Sequence, residues 1–145
     1  MVNFPFTQRR TVKCGEGDPA GIVCTPRLLD WTAAAVEAAF RTVGGITWPE
    51  VRERFGLGAP MRQAGLDFAS PLRACDDAGL AATLDGMGKS SIDCRVTTRR
   101  PDGALRFTEL LTSVMIDLKT FRPVPIPADI RTPFERHIAA CGGST

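Results

Sequence analysis

Apolar residues at Leu29, Ala33, Val36, Phe40 and Val43 recur at steps of three and four, so the pattern predicts a helix over 26–43 with these residues on one face. Gly44-Gly45 supplies its stop. Thr25 followed by Pro26 reads as an N-cap and a first-turn proline, whose missing N–H costs nothing there. Thr47-Trp48-Pro49-Glu50 has capping-box spacing and predicts a second, short helix from Trp48 to Phe55, ended by Gly56. The remaining periodic stretches read as strands: Phe4–Lys13, Met61–Phe68, Leu80–Leu84, Ser91–Thr98 and Leu105–Leu118. Ile92, Cys94 and Val96 alternate with Asp93, Arg95 and Thr97, giving one buried and one wet face, while Pro101-Asp102-Gly103 marks a hairpin.

The order is therefore strand, long helix, short helix and four antiparallel strands, an α+β class. Ala33, Ala34, Ala35, Ala38 and Ala39 leave so little side chain that a sheet can approach the long helix closely and wrap around it. Other α+β packings fit the same alanines. At 145 residues the chain accommodates one domain, 1–145, and its 43% hydrophobic and 23% charged residues are ordinary for a globular protein. A net charge of +2 gives no reason to expect nucleic acid as a partner. Five cysteines with no C-x-x-C support neither a disulfide framework nor a zinc site and read as reduced, cytoplasmic thiols. The amino terminus lacks an apolar core of signal-peptide length, and no stretch reaches the length of a membrane span.

Candidate chemistry gathers where the first strand runs into the long helix, in Cys14–Trp31, CGEGDPAGIVCTPRLLDW. A helix start presents unpaired N–H groups and a positive dipole end, here beside a loop carrying Glu16 and Asp18. A carboxylate next to donors for a developing negative charge suits acyl transfer. Asp18-Pro19-Ala20-Gly21 also reads as nothing more than a turn before a helix. Gly21 suits a tight loop and close substrate approach, or a plain turn. Glu16 is either a like-charged neighbour that raises the pKa of Asp18 or a solvated loop residue.

The run Gly17-Asp18-Pro19-Ala20-Gly21-Ile22-Val23, with Pro26 and Trp31 beyond it, resembles the active-site segment of the 4-hydroxybenzoyl-CoA thioesterase family of the hotdog fold. Phe68-Ala69-Ser70-Pro71-Leu72-Arg73 with Asp76-Asp77 is similar to the strand and turn that follow in that family. Thr120-Phe121-Arg122-Pro123-Val124-Pro125-Ile126-Pro127 is similar to its closing segment. The resemblance implies a five-stranded antiparallel sheet wrapped around one long central helix. It places the core at about 6–130, with a C-terminal tail at 131–145. It further implies hydrolysis of an acyl-CoA, with an aromatic acyl group such as 4-hydroxybenzoyl or benzoyl, at a site between the subunits of a homodimer or homotetramer. Asp18 matches the catalytic carboxylate, acting as nucleophile or as general base, and the Thr25 N–H matches the oxyanion donor. Lys89-Ser90 matches a Lys-Ser near the nucleotide phosphates of CoA. No cofactor is implied. The chain departs from the family in having Thr25 and Leu28 where aromatic residues are common, and it contains no tyrosine. This alters the acyl pocket and leaves the backbone donor intact.

Several readings are excluded. Gly86-Met87-Gly88-Lys89-Ser90 is not a P-loop, since Thr83 stands where the first glycine belongs and the lysine opens a strand. His137 is the only histidine and falls in the tail, where it reads as a surface residue; no G-x-S-x-G occurs, so a Ser-His-Asp hydrolase does not fit. Cys14 and Cys24 have no histidine to activate them and read as buried small hydrophobes. Arg99, Arg100 and Arg106 flank the hairpin as possible phosphate helpers or as solvated charges. Two rival functions remain: the same fold acting on aliphatic acyl-CoA or acyl carrier protein, and a non-catalytic acyl-CoA binding module.

Overall fold

The computed structural model describes residues 6–140. Phe4 and Pro5 of the first predicted strand, and the predicted frayed end at 141–145, lie outside them. The element order is β1 (Phe6–Thr11), a single 3-10 turn (Cys14–Glu16), α1 (Thr25–Gly44), α2 (Trp48–Phe55), β2 (Leu57–Gly58), β3 (Met61–Phe68), β4 (Asp77–Met87), β5 (Ser91–Arg99), β6 (Leu105–Val114), β7 (Ile116–Asp117) and α3 (Ala128–Ala140). Five strands form one antiparallel sheet in the order β1-β4-β5-β6-β3, and β2 pairs with β7 separately. Helix α1 crosses β1, β4 and β5 on one face. This is the hotdog fold, a curved antiparallel sheet around one long helix.

The local signals work as their chemistry requires. The capping box of α2 closes with the Thr47 N–H donating to Glu50 Oε2 at 2.6 Å and the Glu50 N–H to Thr47 Oγ1 at 3.4 Å. Gly45 and Gly56 end α1 and α2 in the left-handed region, both at φ 65°. In the β5–β6 hairpin the Arg100 N–H reaches Ala104 O and the Asp102 side chain accepts from the Ala104 N–H. The run predicted as one strand over Leu105–Leu118 divides at Met115, whose N–H leaves the ladder for Ser90 O at 2.7 Å.

The buried face of α1 differs from the predicted stripe. Leu28, Trp31, Thr32, Ala35, Ala39 and Phe40 are buried, whereas Leu29 is 38% exposed and Ala33 is exposed. An alanine-rich helix offers two stripes of similar hydropathy, and the one carrying Trp31 fills more of the space under the sheet. The second stripe, Leu29 and Ala33, remains uncovered. Edge strand β3 is also exposed along nearly its whole length, with Met61 at 43% and Phe68 at 52%.

The boundary expected near residue 130 is corrected. Residues 128–140 form α3, whose Ile130, Phe134 and Ile138 have no exposed surface. Phe134 meets Phe40 edge-on, with ring centroids 4.8 Å apart, and Phe40 stacks on Trp48 at 3.9 Å. Gly44 makes room for it, because a Cβ there would sit 2.9 Å from Phe134 Cε1. His137 is accordingly buried, not a surface histidine, and its pKa is pushed down by that burial.

Candidate active site

Strand β1 delivers the chain to the loop, and hydrogen bonds from the Val12 N–H to Asp76 O and from the Cys75 N–H to Val12 O tie the loop base to the start of β4. The loop then closes on itself. The Asp18 N–H donates to Ile22 O at 2.8 Å, and the Gly21 N–H to Asp18 O at 2.9 Å. Gly21 takes φ 77°, which an L side chain rarely tolerates, so glycine is needed at this turn. On its far side the loop pairs with the segment after β3, through Ile22 opposite Arg73 and the Val23 N–H to Leu72 O.

Asp18 divides its carboxylate between two tasks. Oδ1 accepts from the Ala20 N–H at 2.9 Å and the Ile22 N–H at 3.1 Å, which fixes the side chain against the loop. Oδ2 has no partner among the described residues, and the side chain faces solvent. One oxygen is anchored and the other is free to act on a substrate.

The helix start sits one residue earlier than predicted. Cys24 is the N-cap in extended conformation, and Thr25 is already the first helical residue, with no side-chain cap. The Cys24 carbonyl turns inward to accept from the Arg27 and Leu28 N–H groups at 3.0 and 3.4 Å. Pro26 has no N–H. Of the N–H groups at 25–28, only that of Thr25 has no acceptor among the described residues, so the positive end of α1 narrows to one available donor.

Glu16 is neither solvated nor a partner for Asp18. Its Oε2 accepts from the Lys13 N–H at 2.8 Å and its Oε1 from the Trp31 indole Nε1–H at 3.1 Å, with Arg10 Nη2 4.0 Å away. The Lys13 N–H, with the indole and the nearby cations adding to it against the cost of burial, holds this carboxyl below its ordinary value of 4.5. Arg10 also lies over the Trp31 ring at 4.7 Å. Cys14 is exposed and Cys24 half-buried, so Cys14 is not the buried hydrophobe its position suggested.

Asp18, Gly21 and Thr25 come together; Lys89 and Ser90 do not join them within one protomer. The loop hangs from the Asp77 end of β4, and Lys89-Ser90 follows its Met87 end. Eleven residues of strand put about 30 Å between those ends. The Lys89-Ser90 turn is held by its backbone: Lys89 O accepts from the Ile126 N–H and from Arg131 Nη2, both at 3.0 Å, leaving the Lys89 side chain exposed. No group of metal-ligating side chains occurs among the described residues. Nor is any helix among them long and apolar enough to cross a membrane.

Two further charged side chains are buried by tertiary structure alone, one of them the hairpin-flanking Arg106. Glu109 on β6 has no exposed surface, and its pKa is raised by burial. Arg106, one strand position beyond the hairpin, is 8% exposed.

A hotdog sheet carrying an acid loop at the start of its central helix defines the class of protein. A model of the Thioesterase-like superfamily matches residues 12–134; the chain belongs to that superfamily and is a thioester hydrolase. Similar solved structures include a thioesterase-superfamily protein from Jannaschia sp. CCS1, 25% identical, with a TM-score of 0.82 over 94% of this chain and 95% of that one. A 1,4-dihydroxy-2-naphthoyl-CoA thioesterase from Synechocystis is 20% identical, with a TM-score of 0.79 over 89% and 94%. A Staphylococcus aureus protein solved in complex with CoA is 17% identical, with a TM-score of 0.86 over 96% and 87%. No curated protein matches the chain.

Proposed function

We propose that the protein hydrolyses an aromatic acyl-CoA to the free acid and CoA. The observation that carries this is the pairing, at one loop–helix junction, of a carboxylate with one anchored and one free oxygen and a helix-start N–H with no acceptor. The thioester carbonyl oxygen accepts from the Thr25 N–H, which is aimed where negative charge develops. Asp18 Oδ2 either attacks the carbonyl carbon or takes a proton from an attacking water. The carbon–sulfur bond breaks, CoA leaves as the thiol, and water supplies the hydroxyl of the acid. The preference for an aromatic acyl group draws on the resemblance of the loop and agrees with the naphthoyl-CoA substrate of the Synechocystis relative.

The working unit in this reading is a homodimer. An uncovered helix stripe at Leu29 and Ala33, together with the edge strand β3 that is exposed along nearly its whole length, supports pairing with a second copy. The separation of Lys89-Ser90 from Asp18 supports a site to which one protomer brings the acid loop and its partner the Lys-Ser turn. Gly21 lets the substrate approach the loop backbone closely. A panel of benzoyl-, 4-hydroxybenzoyl- and straight-chain acyl-CoA thioesters tests the proposal through kcat/KM. The reading predicts the highest values for the aromatic thioesters. Faster turnover of aliphatic acyl-CoA moves the substrate class and keeps the chemistry, and no cleavage of any thioester removes both.

A further inference from the structure

Beside the acid loop lies a hollow of about 330 Å³ lined by Pro71, Arg73, Asp76, Arg100 and Arg106. Its base is Arg106, only 8% exposed on β6. A guanidinium offers five N–H donors, and the described residues use one side of it: Nη1 donates to Ser70 Oγ at 2.9 Å, while Nε is buried without an acceptor. Neither Arg106 nor Arg73 takes part in a salt bridge among the described residues, and Arg100 leans on Asp102 at 3.6 Å outside the hollow. The one carboxylate in the wall, Asp76, already accepts the Arg73 backbone N–H through Oδ2 at 2.9 Å. Two cations without an ion pair, Arg106 and Arg73, thus face one committed carboxylate, and Arg100 at the rim is shared with Asp102. A buried, unpaired charge is costly unless something pairs with it.

We propose that this hollow binds a phosphate group, with the Arg106 fork as its principal donor and Arg73 and Arg100 closing over it. Guanidinium forks match phosphate oxygens in pairs, and a phosphate offers more acceptor oxygens to several forks at once than one acyl carboxylate does. The position suits a thioester ligand: Arg73 pairs with Ile22, whose N–H holds Asp18, so the acid loop and the wall of the hollow form one hydrogen-bonded unit. Arg100 is shared with an adjoining hollow of about 470 Å³ whose lining includes Arg9, Arg10 and Arg99, which gives a second phosphate cationic surroundings. The phosphate comes either from CoA, an assignment that rests on the acyl-CoA reading above, or from free inorganic phosphate.

Calorimetric titration of CoA, dephospho-CoA, pantetheine and inorganic phosphate into wild type, Arg106→Met and Arg106→Lys decides the matter. The methionine variant is expected to lose about tenfold to a hundredfold in CoA affinity, the scale of a lost charge-assisted hydrogen bond, with lysine between it and wild type. Its loss for pantetheine, which carries no phosphate, is expected to be at least tenfold smaller. Dephospho-CoA shows whether the 3′-phosphate is the group held. Loss of inorganic phosphate binding with CoA affinity intact assigns the hollow to the free ion. If Arg106→Met does not fold, Arg73→Met and Arg100→Met, which alter exposed side chains, carry the same comparison. Variants that bind CoA and phosphate as wild type does overturn the proposal, as does a wild type that binds neither. Thioester hydrolysis by a wild type whose CoA affinity ignores Arg106 removes the subsite and leaves the acyl-CoA reading. Phosphate binding through Arg106 by a protein that cleaves no thioester does the reverse.

Discussion

The carboxylate of Glu16 accepts a hydrogen bond from the indole of Trp31 at 3.1 Å, joining the acid loop to the second turn of the central helix. The same carboxylate caps the Lys13 N–H, so one side chain clamps the loop at both ends. Replacing Glu16 with Ala removes two hydrogen bonds to a charged group and is expected to cost about 1–3 kcal/mol in stability. Because the loop also carries Asp18, kcat is expected to fall about tenfold, while Arg27→Ala, an exposed change outside the clamp, leaves stability within about 0.5 kcal/mol. Thermal unfolding and steady-state kinetics on both variants check this.

The folded pKa of Glu16 lies below its unfolded value, so the unfolded chain binds its proton first as pH falls. Its contribution to stability is full above pH 4.5 and is lost as pH drops through the depressed folded value. The difference in melting temperature between wild type and Glu16→Ala is therefore expected to shrink steadily below pH 4.5. An unchanged difference down to pH 3 contradicts the clamp.

Glu109 has the opposite sign. Burial between sheet and helix raises its pKa, so its neutral form is favoured in the fold while the unfolded chain ionises near 4.5. Stability is then greatest below that value and is lost as pH rises toward the folded pKa. Glu109→Gln, which keeps the shape and removes the ionisation, is expected to melt several degrees higher than wild type at pH 8 and within a degree or so at pH 4. Equal melting temperatures at both pH values argue against a buried acid.

The Thr25 position separates side chain from backbone. Thr25→Ala keeps the N–H and is expected to retain activity within a few-fold, since the threonine side chain caps nothing. Thr25→Pro deletes the one unspent N–H at a position where proline suits a helix start, and the extended Cys24 accommodates a following proline. A fall of about a hundredfold to a thousandfold in kcat with a preserved fold is expected. Circular dichroism beside thioester kinetics makes the comparison.

Much of this architecture is legible in the sequence where the signal is local. Capping residues and terminal glycines place α1 and α2 to within a residue, because the chemistry of a helix end is carried by three or four neighbouring side chains. Alternation places β3 and β5 closely and Pro101-Asp102-Gly103 the hairpin, but Leu80–Leu84 marks only the middle of β4, Leu105–Leu118 divides into β6 and β7, and the two-residue β2 carries no pattern of its own. The other failures are tertiary. Nothing local decides between two alanine-rich stripes on α1, and α3 is hidden by Pro133 and a polar sequence until Phe134 is seen against Phe40 and Gly44. Glu16 and Arg106 read as loop and hairpin charges; only the folded chain brings Trp31 and Ser70 to them. The loop motif identifies Asp18, and the structure adds the division of labour between its two oxygens.

The most direct measurement is release of CoA thiol from 4-hydroxybenzoyl-CoA and benzoyl-CoA by wild type and Asp18→Asn, side by side with their melting curves. Asparagine keeps an oxygen for the Ala20 and Ile22 N–H groups, so the loop is expected to hold and the melting temperature to stay within a few degrees. The account predicts turnover by wild type and a loss of at least about a hundredfold in the variant, the scale of a missing catalytic acid or base. Wild-type rates in Asp18→Asn contradict it.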